Sequence, residues 1–114
     1  MSEVPAAPAP PDIEVERGIR LDELPVAETE LEPPYRVIIH NDDVTPMEFV
    51  LIVLRVVFHL SNSLATAVML RAHYTGAAYV MTLPFEEAKH RVGLAHSHAR
   101  GAGYPLTFSI EPET

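Results

Sequence analysis

The densest run of hydrogen-bonding side chains in this 114-residue chain is His40-Asn41-Asp42-Asp43-Val44-Thr45, followed at once by Pro46-Met47-Glu48-Phe49 and a long aliphatic stretch. Two adjacent carboxylates beside an imidazole are raw material for cation binding or for acid–base catalysis, so each chemistry is tested against spacing. An EF-hand calcium loop needs glycine at its sixth position and a bidentate glutamate at its twelfth. Counted from Asn41 or from Asp42, the run has neither. Catalysis built on Asp42 and Asp43, with His40 or His73 assisting, lacks a serine or cysteine in a nucleophile elbow, and no glycine-rich phosphate cradle is present. His90, His96 and His98 fall on one predicted helix, but residues two apart point to different faces and no HExxH pair occurs. Solvated or half-buried histidines are expected there, not metal ligands. Asp42 alone reads as an Asx turn, its side chain bonding its own backbone at the corner.

The company of the polar run is apolar. Met47 and Val50 share one face of the helix that follows, and Met69 and His73 lie one turn apart on a second helix. Methionines at helical spacing are more often packed in a core than offered to a ligand. Spacing alone leaves both readings open.

The elements that must position these groups follow from pattern and punctuation. Tyr35 to His40 is a short β-branched run after Pro33 and Pro34, predicting a first strand. Thr45 is expected to cap a helix with Pro46 at its first position and Glu48 closing a capping box, the helix running to about His59. A second helix is expected from Ser61, with Leu64, Ala65, Val68, Met69 and Ala72 at spacings of three and four, stopping at Gly76. Ala78 to Leu83 is the second strand. Pro84 at a first helical position, with Glu86 and Glu87 against the positive helix end, opens a third helix that runs to about Gly101. Pro105 to Pro112 supplies the third strand. The order β-α-α-β-α-β, with three strands and helix enough for one side, predicts a two-layer α+β domain.

Composition excludes several classes. The chain has no cysteine, so disulfides and thiolate chemistry are out and a reducing compartment, the cytoplasm, is expected. No apolar run is long enough for a membrane span, and the first twenty residues lack the basic start of a secretion signal. Residues 1–33 hold nine acids against Arg17 and Arg20 and six of the eleven prolines, whereas residues 34–114 hold seven acids against six bases. The first stretch is expected to be a disordered, acidic, proline-rich arm, and the second to be the folded domain. A body so near neutrality, without a Lys/Arg stripe, offers a nucleic acid nothing to bind.

The runs HNDDVTPMEFV and VMLRAH, the Gly76 stop and the closing GYPLTFSIEPE, in this order and spacing, make the chain from about Pro34 to Glu113 resemble the ClpS adaptor family. The resemblance implies a fold like the C-terminal domain of the ribosomal stalk protein. It also implies an adaptor, not an enzyme, that needs no cofactor. Such adaptors bind proteins whose first residue is Phe, Tyr, Trp or Leu with a free α-amino group. They deliver these N-degron substrates to a ClpA- or ClpC-type AAA+ unfoldase for degradation by the Clp protease. The family's amine-binding positions fall on Asn41, Asp43 and His73, and its side-chain pocket on Ile39, Thr45, Met47, Val50, Met69, Ala72 and Leu106. Contacts with the N-terminal domain of the unfoldase fall on or near Glu86 and Arg91. The alternative reading is a stalk-like docking module without a peptide pocket.

Several positions depart from the family pattern. Ala72 stands where valine is usual, and Arg91 where lysine is usual. Ile52 and Val56 replace positions that are commonly charged, leaving the first helix apolar nearly all round except at Arg55. A helix of that kind is buried or partnered, with local packing, the arm or a second copy as the candidates.

Overall fold

The computed structural model describes residues 33–113. The stretch read as an acidic arm lies, apart from Pro33, outside them. The elements are β1 (Pro34–His40), α1 (Met47–Val56), α2 (Asn62–Thr75), β2 (Ala77–Pro84), α3 (Phe85–Gly101) and β3 (Thr107–Pro112). This is the β-α-α-β-α-β order of a two-layer α+β domain.

β1 is the central strand of an antiparallel sheet ordered β2-β1-β3. Opposite β1, the register steps from Val37↔Met81 to Ile38↔Tyr79, so Val80 is an extra residue on β2. Such a bulge re-aims the strand locally, and here both Val37 and Val80 face the core. Strand alternation buries Val37, Ile39, Ala78, Val80 and Phe108 on the helix side. The opposite face is polar: Arg36 pairs with Glu111 across β1 and β3 at 2.6 Å and lies 5.3 Å from the centre of the Tyr79 ring.

The core between sheet and helices is centred on Phe58, Ile39, Leu54, Leu106 and Val37, with the Phe58 and Phe108 rings 5.1 Å apart. Each such side chain contributes roughly 1.5–3 kcal/mol on burial. α3 meets the sheet through Ala88, Ala95 and Ala99, all wholly buried. Their spacing of seven and four puts them on one helical face, and their small side chains let the helix backbone approach the strands.

The helix boundaries differ from those expected. Pro46 has φ −66 and ψ 148, so it is the residue before α1 and not its first helical residue. Pro84 stands in the same relation to α3, with φ −58 and ψ 152. Proline fixes φ but leaves ψ free to be extended. The expected capping box is absent, because the Thr45 hydroxyl donates to Asp42 Oδ2 at 2.9 Å. α1 ends at Val56, short of His59, which has a left-handed φ of 59. The apolar run continues past the helix because Val57, Phe58 and Leu60 fold into the core from the turn.

α2 starts as expected, with Ser61 Oγ accepting the Leu64 N–H at 3.2 Å, and stops at Gly76. Ala65, Val68, Met69 and Ala72 are buried, but Leu64 faces solvent. Pro105 and Leu106 precede β3 instead of belonging to it. Ile52 and Val56 are exposed, so local packing within the domain does not cover them. Among the described residues no helix is long and apolar enough to cross a membrane.

Candidate functional site

A cavity of about 260 Å³ opens where β1 ends, α1 begins and α2 finishes. Its size sits near the lower end of ligand pockets, which suits one side chain better than a large molecule. The lining has two halves. Ile39, Met69, Ala72 and Leu106 are buried apolar residues, and Val50 adds a half-buried one. Asn41, Asp43, Met47 and His73 are exposed around it, with His40, Asp42 and Thr45 half-buried.

The loop that carries the polar half is held by few but specific bonds. The Asn41 N–H donates to the Gly76 carbonyl at 2.9 Å, which ties the loop to the end of α2. Asp42 Oδ1 accepts the N–H groups of Val44 at 2.8 Å and Thr45 at 2.7 Å, and Oδ2 accepts the Thr45 hydroxyl. This is the Asx turn anticipated for Asp42. Burial is the largest single influence on Asp42 and pushes its pKa upward. The bonds from the Thr45 and Val44 amides and the Thr45 hydroxyl, with the charge of Arg100, together outweigh it and leave the carboxyl below its usual range. Asp42 is therefore an ionised group already committed to its own loop.

The side chains of Asn41, Asp43 and His73 have no hydrogen-bond partner among the described residues. The His73 ring meets Tyr74 edge-on with centroids 4.9 Å apart. A carboxamide, a carboxylate and an imidazole left uncommitted around an apolar well can accept bonds from a cation. Among the described residues no three His, Cys, Asp or Glu side chains are grouped to hold a metal ion.

All ten residues named above for amine and side-chain recognition line this one cavity. Two further lining residues, His40 and Asp42, stood outside that set. His40 was signalled only by being next to Asn41, and its Nε2 lies 2.7 Å from Ser109 Oγ, a partner 69 positions away in sequence. Glu86 and Arg91 lie on α3 and do not line the cavity. Glu86 is exposed, 3.8 Å from Lys89. Arg91 directs Nε and Nη2 at Glu87 Oε2, at 3.0 and 2.7 Å, and Nη1 at the Val57 carbonyl at 3.1 Å. Of the remaining histidines, His96 is half-buried and its Nε2 accepts the Phe108 N–H at 2.9 Å. Burial, and then the charge of Arg100, hold its pKa below the usual histidine value.

A two-layer α+β domain with an apolar well beside a polar rim, part of it hydrogen-bonded within the loop and part of it uncommitted, has the build of a small recognition module. The family profile described as "ATP-dependent Clp protease adaptor protein ClpS" matches residues 30–109. Among curated relatives, the ATP-dependent Clp protease adapter protein ClpS of Nitratidesulfovibrio vulgaris is 40% identical over 112 residues, covering 97% of this chain and 98% of the relative. ClpS 2 of Agrobacterium fabrum is 40% identical over 91 residues, covering 78% of this chain and 88% of the relative. Among solved structures, Agrobacterium tumefaciens ClpS2 bound to L-phenylalaninamide superposes with a TM-score of 0.70 at 39% identity, covering 72% of this chain and 99% of that one. The chain belongs to the ClpS family of Clp protease adaptors.

Proposed function

We propose that this protein captures substrates by a bulky hydrophobic first residue, Phe, Tyr, Trp or Leu, and hands them to a ClpA- or ClpC-type AAA+ unfoldase. The observation that carries the reading is the junction of an apolar well with Asn41, Asp43 and His73 in one cavity. An N-terminal residue is the one place in a polypeptide where a large apolar group and a cation share a Cα. Its ammonium has three donors; the Asn41 carbonyl oxygen and an unprotonated His73 nitrogen accept two, and Asp43 supplies negative field. The apolar group enters between Ile39, Val50, Met69, Ala72 and Leu106, with Thr45 and Met47 at the entrance.

L-phenylalaninamide, the ligand of the Agrobacterium relative, supports this assignment. It carries a free α-amino group and a benzyl side chain, and its carboxamide stands in for a peptide bond. Burying such a side chain contributes roughly 1.5–3 kcal/mol, and each charge-assisted hydrogen bond roughly 1.5–3. After association costs, affinity near micromolar is expected. The adaptor itself performs no covalent chemistry in this reading; ATP hydrolysis belongs to the unfoldase, and the pair acts in the cytoplasm. By resemblance we assign the unfoldase contact to the part of α3 around Glu86 and Arg91.

Fluorescence anisotropy with a Phe-starting peptide, free or acetylated at its N-terminus, tests the proposal. The acetyl group removes the cation and leaves the benzyl group, so affinity should fall about a hundredfold, the equivalent of one to two charge-assisted bonds. Equal binding of the two peptides would overturn it.

A further inference from the structure

We propose that Gly76 is a positioning residue for amine recognition: its left-handed backbone sets Asn41 and His73 in the relation that lets one ammonium reach both. The proposal rests on the reading of the cavity as a free-amine site. Gly76 has φ 98 and ψ −25 and stands between α2, which carries Met69, Ala72 and His73, and β2. Its N–H donates to the Ala72 carbonyl at 2.8 Å and closes the last turn of that helix. Its carbonyl accepts the Asn41 N–H at 2.9 Å. That bond carries β1–β2 pairing one step beyond the last strand pair, His40↔Ala77. The two backbone groups of one residue thus hold both sides of the polar rim, and Asn41, Ala72 and His73 all line the cavity.

The demand for glycine is torsional. A Cβ built at Gly76 meets nothing within 4 Å, so packing does not exclude a side chain. What excludes one is the positive φ, which L-residues other than Asn and Asp seldom adopt. A residue that relaxes to negative φ turns its N–H and carbonyl away from Ala72 and Asn41 together. The separation of Asn41 from His73 changes, while the apolar wall of Ile39, Met69 and Leu106 is built from other bonds.

The test uses the full chain with Gly76→Ala, Gly76→Ser and Gly76→Asn, each checked for folding by circular dichroism at the assay temperature. The readout is the ratio of affinities for free and acetylated Phe-starting peptides, which a general loss of stability does not move. With the left-handed cost to an ordinary residue as guide, Gly76→Ala should lower that ratio about tenfold. Gly76→Asn should lose less than Gly76→Ala, since Asn is among the side-chain-bearing residues most often found at positive φ, and Gly76→Ser should fall between. If the alanine variant does not fold, the serine and asparagine variants carry the same ordering. A parental ratio in folded Gly76→Ala or Gly76→Ser overturns the inference, as does an equal loss in Gly76→Asn, because torsion would then not be the cause. A parent that fails to discriminate the two peptides overturns the functional reading and this inference with it.

Discussion

The chain passes from strand to helix twice, and the two corners are built alike in one respect and differently in another. Both helices are preceded by a proline in the extended region, Pro46 before α1 and Pro84 before α3, and both carry glutamate in the first turn. Acidic side chains there complement the positive helix end. At the second corner nothing else is used: β2 ends at Pro84 and α3 begins at Phe85. At the first, residues 41–46 intervene between His40 and Met47. Turning the chain therefore does not require the polar loop. Asp42 satisfies the backbone donors of Val44 and Thr45, while the side chains of Asn41 and Asp43 have no hydrogen-bond partner among the described residues. The difference between the corners is the difference between starting a helix and also lining a cavity.

The strongest way to break this comparison is Asp42→Ala. Three hydrogen bonds to an ionised acceptor disappear from the first corner and none from the second. Given about 1.5–3 kcal/mol for a bond to a charged group, and water replacing part of what is lost at this half-buried position, a destabilisation of about 2 kcal/mol is expected. Capture of a Phe-starting peptide should weaken as well. Urea denaturation alongside peptide titration measures both. The pH dependence has a defined sign. Because the folded carboxyl lies below its ordinary value of 3.8, its contribution is complete above that pH and is lost as pH falls through the depressed folded value. The gap between parent and Asp42→Ala should be constant from pH 7 to 5 and close only below about 4. A gap that closes near pH 6 would point to another group.

What was legible in the sequence follows the range of the interactions involved. Element order was legible because its signals are local: β-branched runs, Ser61 capping the Leu64 N–H, and Gly76 where a positive φ is needed. The Asx turn at Asp42 was legible for the same reason, its partners lying two and three residues away. The helix starts were displaced by one residue because proline at either position satisfies the same φ. The end of α1 was overrun because Val57, Phe58 and Leu60 are apolar for the sake of the core and not of the helix. Spacing could not say whether the methionines were core or cleft, and the fold makes the question ill-posed: Met69 is buried and also lines the cavity, while Met47 lines it from an exposed position. That Leu106 joins them from beyond α3 was available only through the family resemblance.

A second device sharpens the contrast. On the α3 side of the sheet, His96 does for the Phe108 amide what Asp42 does for Val44 and Thr45, but as an uncharged acceptor, because a backbone N–H points at Nε2. His96→Ala removes one neutral bond and should cost about 1 kcal/mol at pH 7.5. The folded imidazole titrates below the ordinary 6.5, so its contribution is complete above that pH and is lost as pH falls through the lowered value. Stability of the parent should start to decline in mild acid, and His96→Ala should remove that part of the decline. Thermal melts of the two proteins between pH 7.5 and 5 check this. The α3–β3 contact thus responds to pH in a range where the Asx corner does not.

The smallest effect is expected at the second corner. Glu87 receives Nε and Nη2 of Arg91 across one helical turn, in a pair whose side chains are 45% and 21% exposed. Exposed pairs of this kind contribute about 0.2–1 kcal/mol. Arg91 keeps its bond to the Val57 carbonyl when Glu87 is removed, so α1 and α3 stay joined there. Glu87→Ala should therefore destabilise by about 0.5 kcal/mol or less and leave the affinity for a Phe-starting peptide unchanged. Denaturation and anisotropy on the same preparation measure both quantities. A drop in peptide affinity would mean that the two corners are coupled through α1, whose first turn supplies Met47 and Val50 to the cavity and whose C-terminal end leads into Val57, the carbonyl partner of Arg91. The separation between helix start and cavity would then fail, because a change beside the plain corner would have reached the ligand through the helix that the two regions share.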